Sequence, residues 1–172
     1  MALIVEDGTI VADANTFINR EAAIAYAAER GITLANDETT DAKIIKAMDY
    51  LALYDQAWKG EQVEYGVQTL AWPRKYVYIG NSTTVFPSDQ IPGQLVRAQA
   101  ELVLQVNAGV NLLPTLSGDT AFVTREKVDV IETEYSEAMA LKLAGLLPDM
   151  PLVDALLSPL FAVSNRLRTV RI

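Results

Sequence analysis

The chain has 172 residues, 51% of them hydrophobic and 8% aromatic, a composition that belongs to a folded domain and not to a disordered segment. Its 14 Lys and Arg stand against 22 Asp and Glu, a formal net charge of -8, which disfavours general attraction to nucleic-acid phosphates. With neither cysteine nor histidine, disulfides, thiolate nucleophiles, imidazole bases and the usual zinc and haem ligand sets are excluded, so neither metal nor cofactor is expected.

The opening MALIVEDGTIVADAN has no basic segment ahead of its apolar run, which stops at Glu6, so no secretory signal is expected. Later apolar stretches are interrupted well short of the ~20 residues that cross a bilayer, and a soluble cytosolic product is the expectation. Residues 2–12 read as two short strands around Glu6-Asp7-Gly8, a hairpin pattern. A first helix follows in NREAAIAYAAERG, with Asn19 as N-cap, Glu21 in its first turn and Gly31 as its stop. Thr40 is placed to cap a second helix, whose Ile44, Ile45, Met48, Leu51 and Ala52 form one apolar stripe, ending before Gly60.

Residues 61–91 have little periodicity. Within them lies QTLAWPR, residues 68–74. Pro73 removes a backbone donor and disfavours the α region at Trp72, so this tryptophan is expected in extended chain, seating the non-helical middle on helices over 41–58 and 92–108. Tyr76 to Ile79 alternate as a strand would, turning at Gly80-Asn81. Pro92 opens a third helix carrying Leu95, Ala98, Leu102 and Val106 three or four apart, closed by Gly109.

Beyond Gly118 the pattern weakens. TREKVDVIETEYSEA reads as a weak strand or extended arm rich in acids, with five over 126–137, among them Glu126, Asp129, Glu132 and Glu134, against the single base Lys127 in that span. A short fourth helix, broken by Pro148, Pro151 and Pro159, leads to a tail bearing Arg166, Arg168 and Arg171. The expected fold is therefore mainly α. A small helical bundle with a short N-terminal β-hairpin forms a body over 1–109, and residues 110–172 form an extended arm with a short helix and a basic C-terminal tail.

No residue set for catalysis stands out. The serines have no histidine to activate them, and neither GxxxxGK[ST] nor GxGxxG occurs, so no enzyme is expected. Asp37, Glu38 and Asp41 gather at a helix start, where carboxylates favour the helix dipole, and read as a solvated acidic loop rather than a metal site. Trp72, Arg74, Lys75, Tyr76 and Tyr78 interleave aromatics with bases as a single-strand stacking platform would. Only two bases lie between Glu61 and Gln94, too few for a phosphate track, so packing of Trp72 and Tyr76 on the body is the favoured reading.

LIVEDGTIVADANTFI, KAMDYLALYDQAWKG, QTLAWPR and DQIPGQLVRAQAELVL together resemble a family of small tailed-bacteriophage proteins. These are often labelled DnaT-like single-stranded-DNA-binding proteins and are similar in organisation to head–tail adaptor, or head-completion, proteins. The likeness is close over 3–104 and loose beyond about 110. It carries the family's ANxY/F onto Ala14-Asn15-Thr16-Phe17 and its tyrosine-bearing helix onto Ala47-Met48-Asp49-Tyr50-Leu51-Ala52. Its tryptophan and glycine fall on Trp58 and Gly60, its LxWPR on Leu70 to Arg74, and its IPxxVxxAxxELA on Ile91 to Val103.

The resemblance implies a structural connector subunit in the virion at the head–tail junction, met in host cytoplasm during assembly. Its partners would be the portal protein, neighbouring subunits in a ring of about twelve copies, a downstream tail-completion or stopper protein, and genomic DNA passing without sequence recognition. Tyr50, Trp58, Trp72 and Pro73 would then be structural anchors. Arg74, Glu126, Asp129, Glu132, Glu134, Arg166, Arg168 and Arg171 would be subunit or portal contacts. The alternative is a single-stranded-DNA-binding protein of a replication module.

Overall fold

The computed structural model describes residues 2–80, 82–113, 125–128, 131–134 and 147–162. Helix α1 spans Arg20–Ala28, α2 Glu38–Ala52, α3 Gly93–Asn107 and α4 Pro151–Leu157, which runs on into a 3-10 turn at Ser158–Leu160. Strands β1 (Glu61–Gln62) and β2 (Arg74–Lys75) pair antiparallel, as do β3 (Arg125–Val128) and β4 (Ile131–Glu134). The fold is thus a mainly helical small bundle, as the apolar periodicity predicts.

Helix α3 is its axis. It packs against α1, α2 and α4, and Leu95, Ala98, Leu102 and Val103 on it are completely buried. One polar side chain sits in the middle of that face. Gln99, fully buried, accepts from the Phe17 amide at 2.9 Å and donates to Thr16 Oγ1 at 2.8 Å and to the Ile44 carbonyl at 3.3 Å. It ties the N-terminal segment to α2 with its polar atoms satisfied, which keeps the desolvation penalty of a buried amide from falling due.

Helix starts follow local chemistry. Asn19 caps α1, its side chain accepting from the Ala22 amide at 2.8 Å, as the sequence predicts. The cap of α2 is Asp37, accepting from the Thr39 amide at 2.9 Å, and not Thr40. Thr40 is drawn inward, where its hydroxyl donates to the Ala35 carbonyl at 2.6 Å. Pro92 is the N-cap of α3, and Pro151 is the first residue of α4. Pro151 therefore opens the fourth helix instead of breaking it, because a first-turn position needs no amide donor.

Two expectations change at the ends of the body. In residues 2–12 the chain bends at Gly8, yet the pairing is a single parallel bridge, Val5 to Thr16. The cause is Glu6. Its buried carboxylate accepts from the amides of Gly8 (2.8 Å), Ile10 (3.0 Å) and Val11 (2.9 Å), donors that a second strand would have offered across a hairpin. The body also extends past 109. Leu147, Met150, Val153, Leu157 and Leu160 are buried in the common core, and the amides of Lys59 and Ala162 bond to the carbonyls of Leu160 and Ala57 at 2.9 and 2.8 Å. Residues 147–162 are part of the packed body, and the boundary drawn at 109 separates what the core joins.

Candidate functional site: an aromatic clamp and its exposed rim

The peptide Trp72–Pro73 is cis, and Trp72 is completely buried. Its ring meets Trp58 edge-on at 6.2 Å between centroids and Phe86 edge-on at 6.4 Å. Trp58 in turn lies 5.0 Å from Phe161, which stacks on Tyr54 at 5.2 Å, and Tyr54 meets Tyr50 edge-on at 5.8 Å. The sequence-predicted Tyr50, Trp58, Trp72 and Pro73 are all buried, and the rings of Tyr50, Trp58 and Trp72 belong to one aromatic cluster. Offset and edge-on ring pairs add about 0.5–1.5 kcal/mol each beyond the area they bury.

Arg74 fastens the segment from outside. Its guanidinium donates to the carbonyls of Lys59 (2.7 Å), Gly60 (2.8 Å) and Ala71 (3.1 Å). Burial lowers its pKa, with Asp55 and Glu61 acting in the opposite sense. Three forked bonds to main-chain oxygens suit a planar guanidinium, and they occupy the group. Gln68 works beside it, donating to the carbonyls of Leu70 (2.8 Å) and Pro73 (3.1 Å) and accepting from the Glu64 amide (3.0 Å). Gly60 permits the closure. At φ +69 it lies so near β2 that a Cβ there would stand 2.2 Å from the Lys75 carbonyl oxygen. Lys59 completes the clamp, its ammonium bonding the carbonyls of Tyr78 (3.1 Å) and Pro159 (2.9 Å).

The outer side of the same segment is different. Tyr76 sits at φ +62 and is 65% exposed, while the next residue, Val77, is fully buried. Tyr78 and Tyr65 are exposed as well, and the Lys75 ammonium lies 5.8 Å from the Tyr76 ring centroid. The alternation expected over 76–79 therefore holds for inside and outside, but β2 is confined to Arg74–Lys75 and Tyr76 does not pack on the body. A tyrosine held in the left-handed region with its ring outward is costly by roughly 1–3 kcal/mol, and such residues concentrate where a surface has work to do.

Charged candidates elsewhere are placed as follows. Asp41 is buried and paired with Arg20 through two bonds, Nε to Oδ1 at 2.7 Å and Nη2 to Oδ2 at 2.5 Å, so Asp41 belongs to an ion pair between α1 and α2 and not to a solvated loop. That pairing lowers the Asp41 pKa. Glu126, Glu132 and Glu134 lie on β3 and β4, a hairpin where a weak strand or extended arm was expected. Its register sets Arg125 opposite Glu134 and Lys127 opposite Glu132 along the backbone. Asp129, Arg166, Arg168 and Arg171 lie outside the described residues.

Sequence reasoning missed Phe86, Phe161, Tyr54, Lys59 and Gln68. Only the aromatic spacing Tyr50, Tyr54, Trp58, four residues apart, could have signalled part of the cluster.

What fold and site define is a small helical domain with a non-helical insert clamped by buried tryptophans and an arginine, its exposed rim carrying tyrosines. Over residues 1–172 the chain matches the family described as "Putative DnaT-like ssDNA binding protein", and it belongs to that family. No curated protein and no solved structure matches it.

Proposed function

We propose that this chain is a non-catalytic structural subunit that works by protein contact, as a head–tail connector of a tailed phage. It would sit at the head–tail junction of the virion in a ring under the portal, with a stopper or tail-completion protein below and DNA passing through. The observation that carries this reading is the use made of the aromatic–basic segment. Trp72 has no exposed surface, and Arg74 is occupied by three main-chain carbonyls. The groups best suited to grip a nucleic-acid strand are therefore turned inward, on a chain whose formal charge is -8. The resemblance of its motifs to adaptor proteins supports the same reading, as do the exposed Tyr65, Val67 and Tyr76, aromatic and apolar anchors of the kind protein interfaces favour.

A second reading is single-stranded DNA binding. The family's description supports it more directly than it supports the first, and the exposed Tyr76 and Tyr78 beside Lys75 offer rings on which bases could stack. Cryo-electron microscopy of purified particles tests the connector reading: the chain is expected as a ring between portal and tail. Absence from mature particles, together with salt-sensitive binding of oligothymidylate that Tyr76→Ala weakens, would establish the second reading instead.

A further inference from the structure

Of the nine glycines in the chain, only Gly8 follows an aspartate or an asparagine. In an Asp-Gly pair the backbone nitrogen reaches the side-chain carboxyl with least hindrance, because glycine carries no Cβ. Asp7 is exposed to water, and Gly8 beside it is buried. No other residue fits in place of this glycine. It sits at φ +110 against the chain that leads into α3, where a Cβ would strike the Asp89 carbonyl and the Gln90 nitrogen. The fold therefore requires a chemically labile pair at its N-terminal bend.

Contacts on both residues hold the pair inert. The Gly8 amide donates to Glu6 Oε1 at 2.8 Å. Attack on Asp7 Cγ needs that nitrogen without its proton, and an anionic nitrogen would then face a carboxylate at hydrogen-bond distance. Glu6 is fixed in turn. Its carboxylate also accepts from the amides of Ile10 and Val11 at 3.0 and 2.9 Å, and its own amide donates to the Thr16 carbonyl at 2.8 Å. Asp7 Oδ1 accepts from the Thr9 hydroxyl at 2.7 Å and the Thr9 amide at 3.0 Å, and these two bonds hold the carboxyl below its ordinary pKa. An ionised carboxyl has no hydroxyl to lose as water. Ring closure would also turn the Gly8 nitrogen towards Cγ, a movement that the close approach of Gly8 to Asp89 resists.

We propose that Asp7–Gly8 is a modification site, a point of isoaspartate formation that Glu6 keeps closed in the folded chain and that unfolding opens. The reaction is intramolecular and takes only water. The Gly8 nitrogen bonds to Asp7 Cγ, the amide proton and the carboxyl hydroxyl leave together as water, and a five-membered succinimide results. Water then adds to one of the two ring carbonyls. Breaking the bond from nitrogen to Cγ restores aspartate, whereas breaking the bond from nitrogen to the main-chain carbonyl carbon leaves isoaspartate. The chain then runs through Cβ and Cγ and is one backbone atom longer. That atom moves Gly8 off both Glu6 and Asp89, and the N-terminal segment loses its hold on the body. The proposal is independent of both functional readings.

The test is to age the full-length protein at one pH, folded and in urea, and to measure isoaspartate at residue 7. Isoaspartyl and aspartyl peptides have equal mass, so they are separated by chromatography and counted by enzymatic methyl transfer from S-adenosylmethionine. Conversion is expected to be slow in the folded chain and several-fold faster in urea. Glu6→Gln keeps the shape of the side chain and removes its charge. It should raise the folded rate several-fold with the circular dichroism unchanged. If that variant does not fold, hydrogen exchange at the Gly8 amide of the unaltered chain decides, and that amide is expected to be strongly protected. Exchange there at the unfolded-chain rate would overturn the proposal. So would equal conversion of folded and unfolded chains, or a folded Glu6→Gln that converts no faster. A folded Glu6→Gln that converts more slowly would make Glu6 the base of the reaction, the opposite of the role proposed.

Discussion

Trp72 and Asp41 show how single residues set this molecule's behaviour. Trp72 has no exposed surface and touches rings from two other parts of the chain, so Trp72→Ala is expected to cost about 3–5 kcal/mol, read as a lower denaturant midpoint. Tyr76→Ala removes an exposed ring and a left-handed aromatic, and should leave stability within about 0.5 kcal/mol or raise it. Asp41 governs the acid limb. Its folded pKa is depressed, first by its hydrogen bonds to Arg20, so its contribution is full above the ordinary carboxylate value of 3.8. That contribution disappears as pH falls through the lower folded value. Asp7 and Asp37 act in the same sense through their bonds to Thr9 and Thr39. Asp41→Asn is therefore expected to lower stability at neutral pH and to flatten its fall below pH ~4, measured by urea unfolding across pH. An unchanged acid limb would remove the pair from this account.

Helices were the legible elements. Their apolar stripes and caps could be read from spacing at Asn19, Ile44, Met48, Leu95 and Leu102, because each signal lies within a few residues along the chain. The clamp was only half legible. Trp72-Pro73 announced a non-helical buried segment, but the partners of Arg74 are main-chain carbonyls at Lys59, Gly60 and Ala71, which no side-chain pattern encodes. Phe161 was hidden for another reason: it reaches Tyr54 and Trp58 across more than a hundred residues, so local periodicity carries no trace of it. Glu6 misled in the opposite direction, since a carboxylate before Asp-Gly looks like part of a turn and instead takes the amides of Gly8, Ile10 and Val11. The clamp also makes a claim at this scale. Gly60→Ala must push a Cβ against the β2 backbone at φ +69, and should cost clearly more than the ~1 kcal/mol of a left-handed alanine. Gly93→Ala, at the first residue of α3 with open space around it, should be neutral or slightly stabilising. Thermal melts of the pair check the contrast, and equal shifts would mean that the approach of residue 60 to β2 is not tight.

At the scale of the whole molecule, α3 gathers the N-terminal segment, α2 and α4 around one core, and the clamp fixes the 59–86 insert to it from both ends through Lys59 and Phe86. The insert is thereby rigid on its inner side and presents tyrosines on its outer side, a preorganised surface that loses little entropy on meeting a partner. In the connector reading that partner is protein, and the β3–β4 hairpin, a two-stranded ladder too small to be stable alone, is the other element that a neighbouring chain would support. Hydrogen exchange on the full-length protein, alone, with single-stranded oligothymidylate and in assembled particles, tests this most directly. The account predicts that residues 72–78 exchange at the same rate with and without the oligonucleotide, and that exchange over 125–134 slows in the particle. Protection centred on residues 72–78 that appears on adding single-stranded DNA, with no slowing in the particle, would contradict it.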